Sequence, residues 1–169
     1  MAKRHIEPLQ SARLRLRLLE EADLPMTLAW RNQDHIRRWF LHSDVISPAQ
    51  HREWYAQYRE RDDDFLFVIE ETDALRRPIG QVGLYHIDWV KRRAEFGRLL
   101  IGDAGARRRG LAKEATSCLV DAALVSWQID EVYLEVMPEN SDAVAVYEAA
   151  GFLPEATLKT LRMSKRIDR

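Results

Sequence analysis

The 169-residue chain has one cysteine, Cys118, which excludes an intrachain disulfide and any zinc cluster built from cysteines. It falls on the apolar side of a helical pattern, where a small core residue is expected. An excess of charge is also lacking: 26 Lys and Arg stand against 27 Asp and Glu, a formal net charge of -1. No global field draws the chain to nucleic acid or to a membrane surface, so neither partner is expected. No 18 apolar residues run together, which argues against a membrane-spanning helix. The opening "MAKRHIEPLQ" has no apolar signal-peptide core, and a cytoplasmic location is the default expectation. No repeat, low-complexity tract or linker divides the chain, so residues 1–169 read as one domain large enough for a sizeable core. The histidines at 5, 35, 42, 51 and 86 show no ligand spacing, and no metal is expected.

What is present is a mixed α/β pattern. Residues 13–19, "RLRLRLL", alternate strictly, with Leu14, Leu16 and Leu18 on one face and Arg13, Arg15 and Arg17 on the other. That is the period of a half-buried strand. Residues 20–40 read as helical with a break around Asn32. Residues 47–60 open with Ser47 as N-cap and Pro48 at the first helical position, a helix start. Strands are expected over 65–71, 81–90 and 94–102, the last two antiparallel across the turn "KRR". From Gly110 onward, Leu111, Ala115, Cys118, Leu119, Ala122 and Ser126 trace one helical face. Residues 131–137 read as a strand, 141–151 as a short helix stopped by Gly151, and 152–167 as a final strand or hairpin.

The stretch "GDAGARRRGLAKEA", residues 102–115, packs three arginines and little side-chain bulk into the approach to a helix. A helix N-terminus carries unpaired N–H groups and a partial positive charge, which together hold phosphate oxygens. Gly110 and Ala112 keep the backbone approachable, and Arg107, Arg108 and Arg109 can add charge-assisted contacts. No Gly-Lys-Ser/Thr follows, so this is not a Walker loop, and it is not the dinucleotide pattern GxGxxG. A solvated basic turn is the competing reading.

In its context the stretch is more specific. Arg107, Gly110 and Ala112 fit the Q/R-x-x-G-x-G/A signature, and the chain resembles the GNAT family of N-acetyltransferases, which use it for acetyl-coenzyme A. After the next strand, Asn140, Ala143, Tyr147, Gly151 and Phe152 resemble the family's second pattern, N-x-x-A-x-x-x-Y-x-x-x-G-F. The resemblance covers nearly the whole chain. It implies a single α/β domain with a mixed, mostly antiparallel central sheet, splayed in the middle and flanked by about four helices. Acetyl-coenzyme A would lie in the splay, its pantetheine beside Leu100, Ile101 and Gly102. Its pyrophosphate would rest on Arg107, Arg108, Arg109, Gly110, Leu111 and Ala112. Asn140 would contact the cofactor or cap the following helix.

The implied reaction moves an acetyl group to a primary amine. The amine must lose a proton, the developing oxyanion needs donors, and the leaving thiolate needs a proton. A tyrosine hydroxyl, with a pKa near ~10, suits the last task, and the resemblance assigns it to Tyr147. It assigns the base to Glu135. Glu95, in "AEFGRLL", is the competitor, directly or through water.

The N-terminal third is expected to choose the acceptor. Residues 29–32, "AWRN", and 46–54, "ISPAQHREW", resemble nucleotide-amino-sugar N-acetyltransferases of the UDP-4-amino-sugar type. This implies that Arg31 and His51 face nucleotide phosphates, that Trp54 lies beside the ligand, and that Tyr85 and His86 make polar substrate contacts. An arginine fork suits phosphate oxygens, and an aromatic plane can cover a base or a sugar. Trp54, Tyr55 and Tyr58 also fit a core-facing helical stripe. A ribosomal-protein alanine acetyltransferase shares the Glu135, Asn140 and Tyr147 pattern and is the alternative. A polyamine acceptor served by "RERDDD", residues 59–64, is a third enzyme reading. A non-catalytic coenzyme A sensor is the alternative from another class. The expected partner is a small-molecule amine, and the expected state is a monomer or homodimer.

Overall fold

The run "DFLFVIEE" is apolar at both parities because the fold buries both of its faces. In the computed structural model, which describes residues 2–155 and 160–168, it forms β3 (Asp64–Glu71) inside the sheet. Phe65, Phe67 and Ile69 enter one core cluster, and Leu66 and Val68 enter another. On one side β3 pairs antiparallel with β2 (Leu14–Leu18), whose Leu14 and Leu16 are fully buried, as its alternation predicts. The arginines of β2 reach carboxylates: Arg17 donates to both oxygens of Asp23, each at 2.8 Å. A two-residue strand, β1 (Leu9–Gln10), adds to the outer edge of β2. It is too short to carry a periodic signal.

On its other side β3 pairs with β4 (Arg77–Asp88), and β4 with β5 (Arg93–Ile101), both antiparallel. β6 (Glu131–Val136) lies parallel to β5, followed by β8 (Leu161–Arg166) and then β7 (Leu153–Glu155). The eight-stranded order is β1-β2-β3-β4-β5-β6-β8-β7. Pairing of β5 with β6 covers only Arg93–Glu95 against Glu131–Tyr133. Beyond that register the strands part, and the sheet is open in its middle. The expected final hairpin is β7 and β8; residues 156–159 between them lie outside the described residues.

Among the described residues five α-helices cover the sheet, against about four expected, because residues 20–40 are not one helix. They divide into a 3-10 turn, α1 (Leu24–Arg31) and the single-turn α2 (Asp34–Arg37). Asn32 marks the break. Its side chain donates to the Ile46 carbonyl (2.8 Å) and accepts from the Ile46 N–H (2.9 Å), tying the end of α1 to the approach to α3, and the backbone turns extended at Gln33. α3 (Pro48–Tyr58) starts in a capping box: the Gln50 N–H donates to Ser47 Oγ and the Ser47 N–H to Gln50 Oε1. α4 (Leu111–Asp121) runs on into a π turn at Ala122–Ser126, and α5 is Ser141–Ala149. Leu111, Ala115 and Leu119 of α4 join Phe65 and Phe67 in the first cluster; Leu24 of α1 and Tyr58 of α3 join Leu66 and Val68 in the second. The two helical layers therefore face opposite sides of the sheet. No described helix is long and apolar enough to cross a membrane.

Glu114 ties α4 to the N-terminal strands. It accepts from Ser11 Oγ (2.6 Å), the Arg13 N–H (2.9 Å) and Arg13 Nε (2.8 Å). Burial raises the proton affinity of this carboxyl, but the three donors and the Arg13 charge outweigh it and hold the group below its usual range. A depressed folded value means stability that is present above the unfolded value near ~4.3 and lost as pH falls through the folded one. Glu114→Gln is expected to cost about 1 kcal/mol at pH 7, a fall of roughly 2–4 °C in Tm. The gap to the wild type should close below pH 4, which thermal melts across pH 3.5–7 would check.

Candidate active site

A cavity of about 850 Å³ occupies the opening between β5 and β6. Ala112 of α4 and Ala143, Val146 and Tyr147 of α5 line it from one face of the sheet; Arg31, His51 and Trp54, from α1 and α3, line it from the other. A molecule filling it would pass through the sheet. The strand between the two halves is irregular. Gln81 pairs with Leu100 and Gly83 with Gly97, so Arg98 and Leu99 stand opposite Val82 alone. This is a β-bulge, and Arg98 takes the left-handed conformation (φ 55°) within it. Gln81 Nε2 donates to the Arg98 carbonyl (3.2 Å). The Arg98 guanidinium is turned into the cavity, pairs with buried Asp64 (2.6 and 3.2 Å) and lies 4.1 Å from the centre of the Tyr85 ring.

The cofactor end fits a coenzyme A. α4 begins at Gly110 (φ 74°) with no side-chain cap, which leaves its first-turn N–H groups available. An added Cβ at Gly110 would meet only Arg13 Nη2, at 3.7 Å, so the approach is open. Arg107 donates to the Gln33 side-chain oxygen (3.3 Å) and Arg109 to the Gly105 carbonyl (2.9 Å), both neutral partners, while the Asp103 carboxylate lies within reach of the Arg107 charge. Arg108 is left-handed (φ 60°) and exposed. Leu100 and Ile101 line the cavity on the part of β5 that has left β6. Of the expected donor contacts, Leu100, Ile101, Ala112 and Asn140 line the cavity, whereas Arg107, Arg108, Arg109 and Gly110 lie outside its lining and Leu111 and Gly102 are turned to other uses. The Leu111 side chain is core, so only its backbone can serve a ligand. Gly102 is absent from the lining because Trp30 lies on it: an added Cβ would fall 2.0 Å from Trp30 Cγ.

Tyr147 projects from α5 between Phe96 and Phe152, edge-on to the first at 5.8 Å. Burial pushes its hydroxyl well above the usual tyrosine range, so it stays protonated at every physiological pH. Asn140 lines the cavity and also caps α5, accepting from the Ala143 N–H (3.3 Å). Glu135, on β6, is exposed at the cavity wall. Glu95 is the last residue of β5 paired with β6, and its Oε2 lies 2.7 Å from His86 Nδ1.

The acceptor end departs from the expected phosphate site. His51 stacks on Trp54 (5.4 Å, 8°), which stacks on Tyr58 (5.0 Å), and burial lowers the His51 proton affinity, so the ring is neutral at pH 7. Arg31 is only 8% exposed. Its guanidinium lies 4.1 Å from the Phe40 ring and Nη2 donates to the His42 carbonyl, while Nη1 has no partner among the described residues. The sequence carried no signal for the rest of the lining. Trp39, Phe40, Leu41, His42, Asp44 and Val45 come from an aperiodic loop, and Gln81 and Arg98 are placed by the bulge. Among the described residues, no group of three His, Cys, Asp or Glu is arranged to hold a metal ion.

Comparison with known proteins bears on both ends. A family model described as an acetyltransferase (GNAT) domain matches residues 13–153. Spermidine N(1)-acetyltransferase of Vibrio cholerae is 28% identical over 148 residues, covering 88% of this chain and 83% of that protein. A crystal structure of spermidine N-acetyltransferase from Vibrio cholerae in complex with CoA and spermine superposes with a TM-score of 0.84 at 26% identity, covering 92% of this chain and 96% of that one. A dodecameric structure of that enzyme superposes with a TM-score of 0.76 at 26% identity, covering 92% and 95%. These relatives are named for polyamines, not for nucleotide sugars or ribosomal proteins, which corrects the finer resemblance drawn from "AWRN" and "ISPAQHREW". Residues of both motifs, Arg31, Ile46, Gln50, His51 and Trp54, line the cavity together with the loop that joins them.

Proposed function

The chain belongs to the GNAT acetyltransferase family, and we propose that it moves the acetyl group of acetyl-coenzyme A to a primary amine of a polyamine. Charge in the cavity carries the acceptor class. Among the described residues, Asp44, Glu95, Glu135 and Asp142 line it against one cation without a carboxylate partner, the buried Arg31; the charge of Arg98 is matched by Asp64 and His51 is neutral. Carboxylates attract a polycation. The names of the relatives support the same class. The reading takes residues 1–169 as one catalytic domain.

The donor supplies an activated thioester. In this reading Arg107, Arg108 and Arg109, with the α4 amides from Leu111 and Ala112, hold its pyrophosphate, and the free edge of β5 at Leu100 and Ile101 pairs with its amide-bearing arm. Tyr147 gives its proton to the leaving sulfur. The amine proton goes to the group formed around Glu95, with Glu135 as the alternative on the facing strand.

A second reading rests on one observation, the unpartnered Nη1 of buried Arg31. It would suit an amine that carries an anion, such as a nucleotide-linked amino sugar. Coenzyme A release measured with spermidine, a UDP-linked 4-amino sugar and a peptide starting with Ala separates the two. Turnover is expected with spermidine, and Arg31→Met should change its KM by less than about threefold, under ~0.7 kcal/mol of binding. Turnover of the nucleotide sugar instead, abolished in Arg31→Met, would replace the polyamine reading.

A further inference from the structure

His86 interrupts β4 at the second irregularity of the β4–β5 ladder, between Tyr85 and Asp88. Its φ of 48° is left-handed, a conformation disfavoured for any residue with a Cβ and one that needs a local reason. The result of the distortion is a contact: the imidazole reaches across to β5, with Nδ1 2.7 Å from Glu95 Oε2. Tyr85 holds the ring edge-on at 5.0 Å. His86 and Glu95 both line the cavity. Nε2, across the ring from the carboxylate, has no hydrogen-bond partner among the described residues.

We infer that His86 Nε2 takes the proton from the acceptor ammonium, and that Glu95 is a positioning residue acting through it. The inference rests on the acetyltransferase reading of the cavity but not on which amine is accepted. A carboxylate and an imidazole nitrogen 2.7 Å apart cannot both present lone pairs. The neutral ring therefore carries its proton on Nδ1 and its lone pair on Nε2. As bases, the two groups differ. Ordinary imidazole holds a proton on the order of a hundredfold more tightly than an ordinary carboxylate, and a general base works best with a pKa near the working pH. Glu95 fixes the tautomer and stabilises the imidazolium that forms.

The proton count closes on one release to solvent per turnover. A proton passes from the R–NH3+ group to His86 Nε2. The freed nitrogen pair forms the N–C bond to the acetyl carbon while the C–S bond breaks. Sulfur receives a proton from Tyr147, which recovers one from the newly acylated nitrogen. The imidazolium, with 59% of its side chain exposed, returns its proton to water. Ammonium and thioester have become amide, thiol and one free proton.

The groups around the pair are Asp63 ahead of β3, Tyr85 with Arg98 against its ring, and Tyr133 on β6 with Arg93 and Arg162 against its ring. Burial and the Glu95 charge push both tyrosines upward, so neither titrates near neutrality. With spermidine as acceptor, His86→Ala is expected to lose on the order of 10²–10³-fold in kcat/KM, to change the pH profile of the rate, and to recover partly in added imidazole. His86→Gln, which can still donate to Glu95, should be as slow as His86→Ala. Glu95→Gln should lose about tenfold or more without rescue by imidazole. Unchanged acetyl-coenzyme A affinity would show that each variant is folded. Long-range 1H–15N spectra of the wild type should show His86 protonated on Nδ1. An Nε2–H tautomer, or a fully active His86→Gln, would overturn the inference. So would an unchanged pH profile in His86→Ala beside an inactive Glu95→Gln, which would make Glu95 the base. Wild-type protein that ignores spermidine would count against the polyamine reading alone, and the tautomer would then decide the role of His86.

Discussion

Tyr147→Phe is expected to lower kcat by roughly 10²–10⁴-fold, the usual worth of a positioned proton donor, with little change in acetyl-coenzyme A affinity. The leaving thiolate is the poorest part of the reaction without a proton, and Tyr147 lines the cavity from the face of the sheet opposite His51 and Trp54. Its ring contacts, with Phe96 at 5.8 Å and Phe152 at 6.0 Å, are ones that phenylalanine keeps. Stability should therefore move by less than about 1 kcal/mol, and the loss can be read as chemistry. Because burial raises the Tyr147 hydroxyl, no basic limb from its ionisation should appear in kcat below pH 10. Steady-state rates with a thermal melt on the same samples check this. A drop of less than about threefold, under ~0.7 kcal/mol of barrier, would mean that sulfur receives its proton from water.

The largest effect on stability is expected at Gly80. It pairs with Ile101 across the β4–β5 ladder, and an added Cβ would lie 2.1 Å from the Leu100 carbonyl oxygen and 3.1 Å from Ile101 Cα. The obstacle is backbone, which cannot rotate aside as a side chain can. Gly80→Ala must push β5 away from β4 and is expected to cost about 3 kcal/mol, or roughly 6–12 °C in Tm. The strand that moves is the one carrying Leu100 and Ile101 along the cavity, so acetyl-coenzyme A affinity should fall as well. Differential scanning fluorimetry and a donor-binding titration test both parts. A Tm within 2 °C of the wild type would mean that the two strands can separate at this point without loss.

Sequence and structure divide the site between them along a physical line. The donor end was legible because its determinants are contiguous: small residues, cations and an apolar helical stripe follow one another from Gly102 to Leu119. The same holds for the Ser47-Pro48 helix start, the alternation of β2 and the double burial of β3, each set by neighbours within a few residues. The break at Asn32 was visible, though the tie of its side chain to Ile46, 14 residues away, was not.

On the other side of the sheet only the residues were legible: Arg31, His51, Trp54, Tyr85 and His86 all line the cavity, but their surroundings come from several segments. Arg31 has the chemistry of a phosphate ligand in the sequence, but packing against Phe40 and the His42 carbonyl turns it into a buried cation. His51 likewise becomes a neutral ring in a stack. Glu135 drew attention by its spacing from Asn140, whereas the Glu95–His86 pair exists because a strand irregularity brings two residues nine apart into contact. Left-handed arginine and histidine leave no mark in a sequence as glycine does, so the bulge at Arg98 and the kink at His86 could be found only in three dimensions. By itself the sequence determined the family and the donor. Which amine enters, and which atom takes its proton, depends on where β4, β5, α1 and the loop after α2 converge, and long-range packing alone decides that.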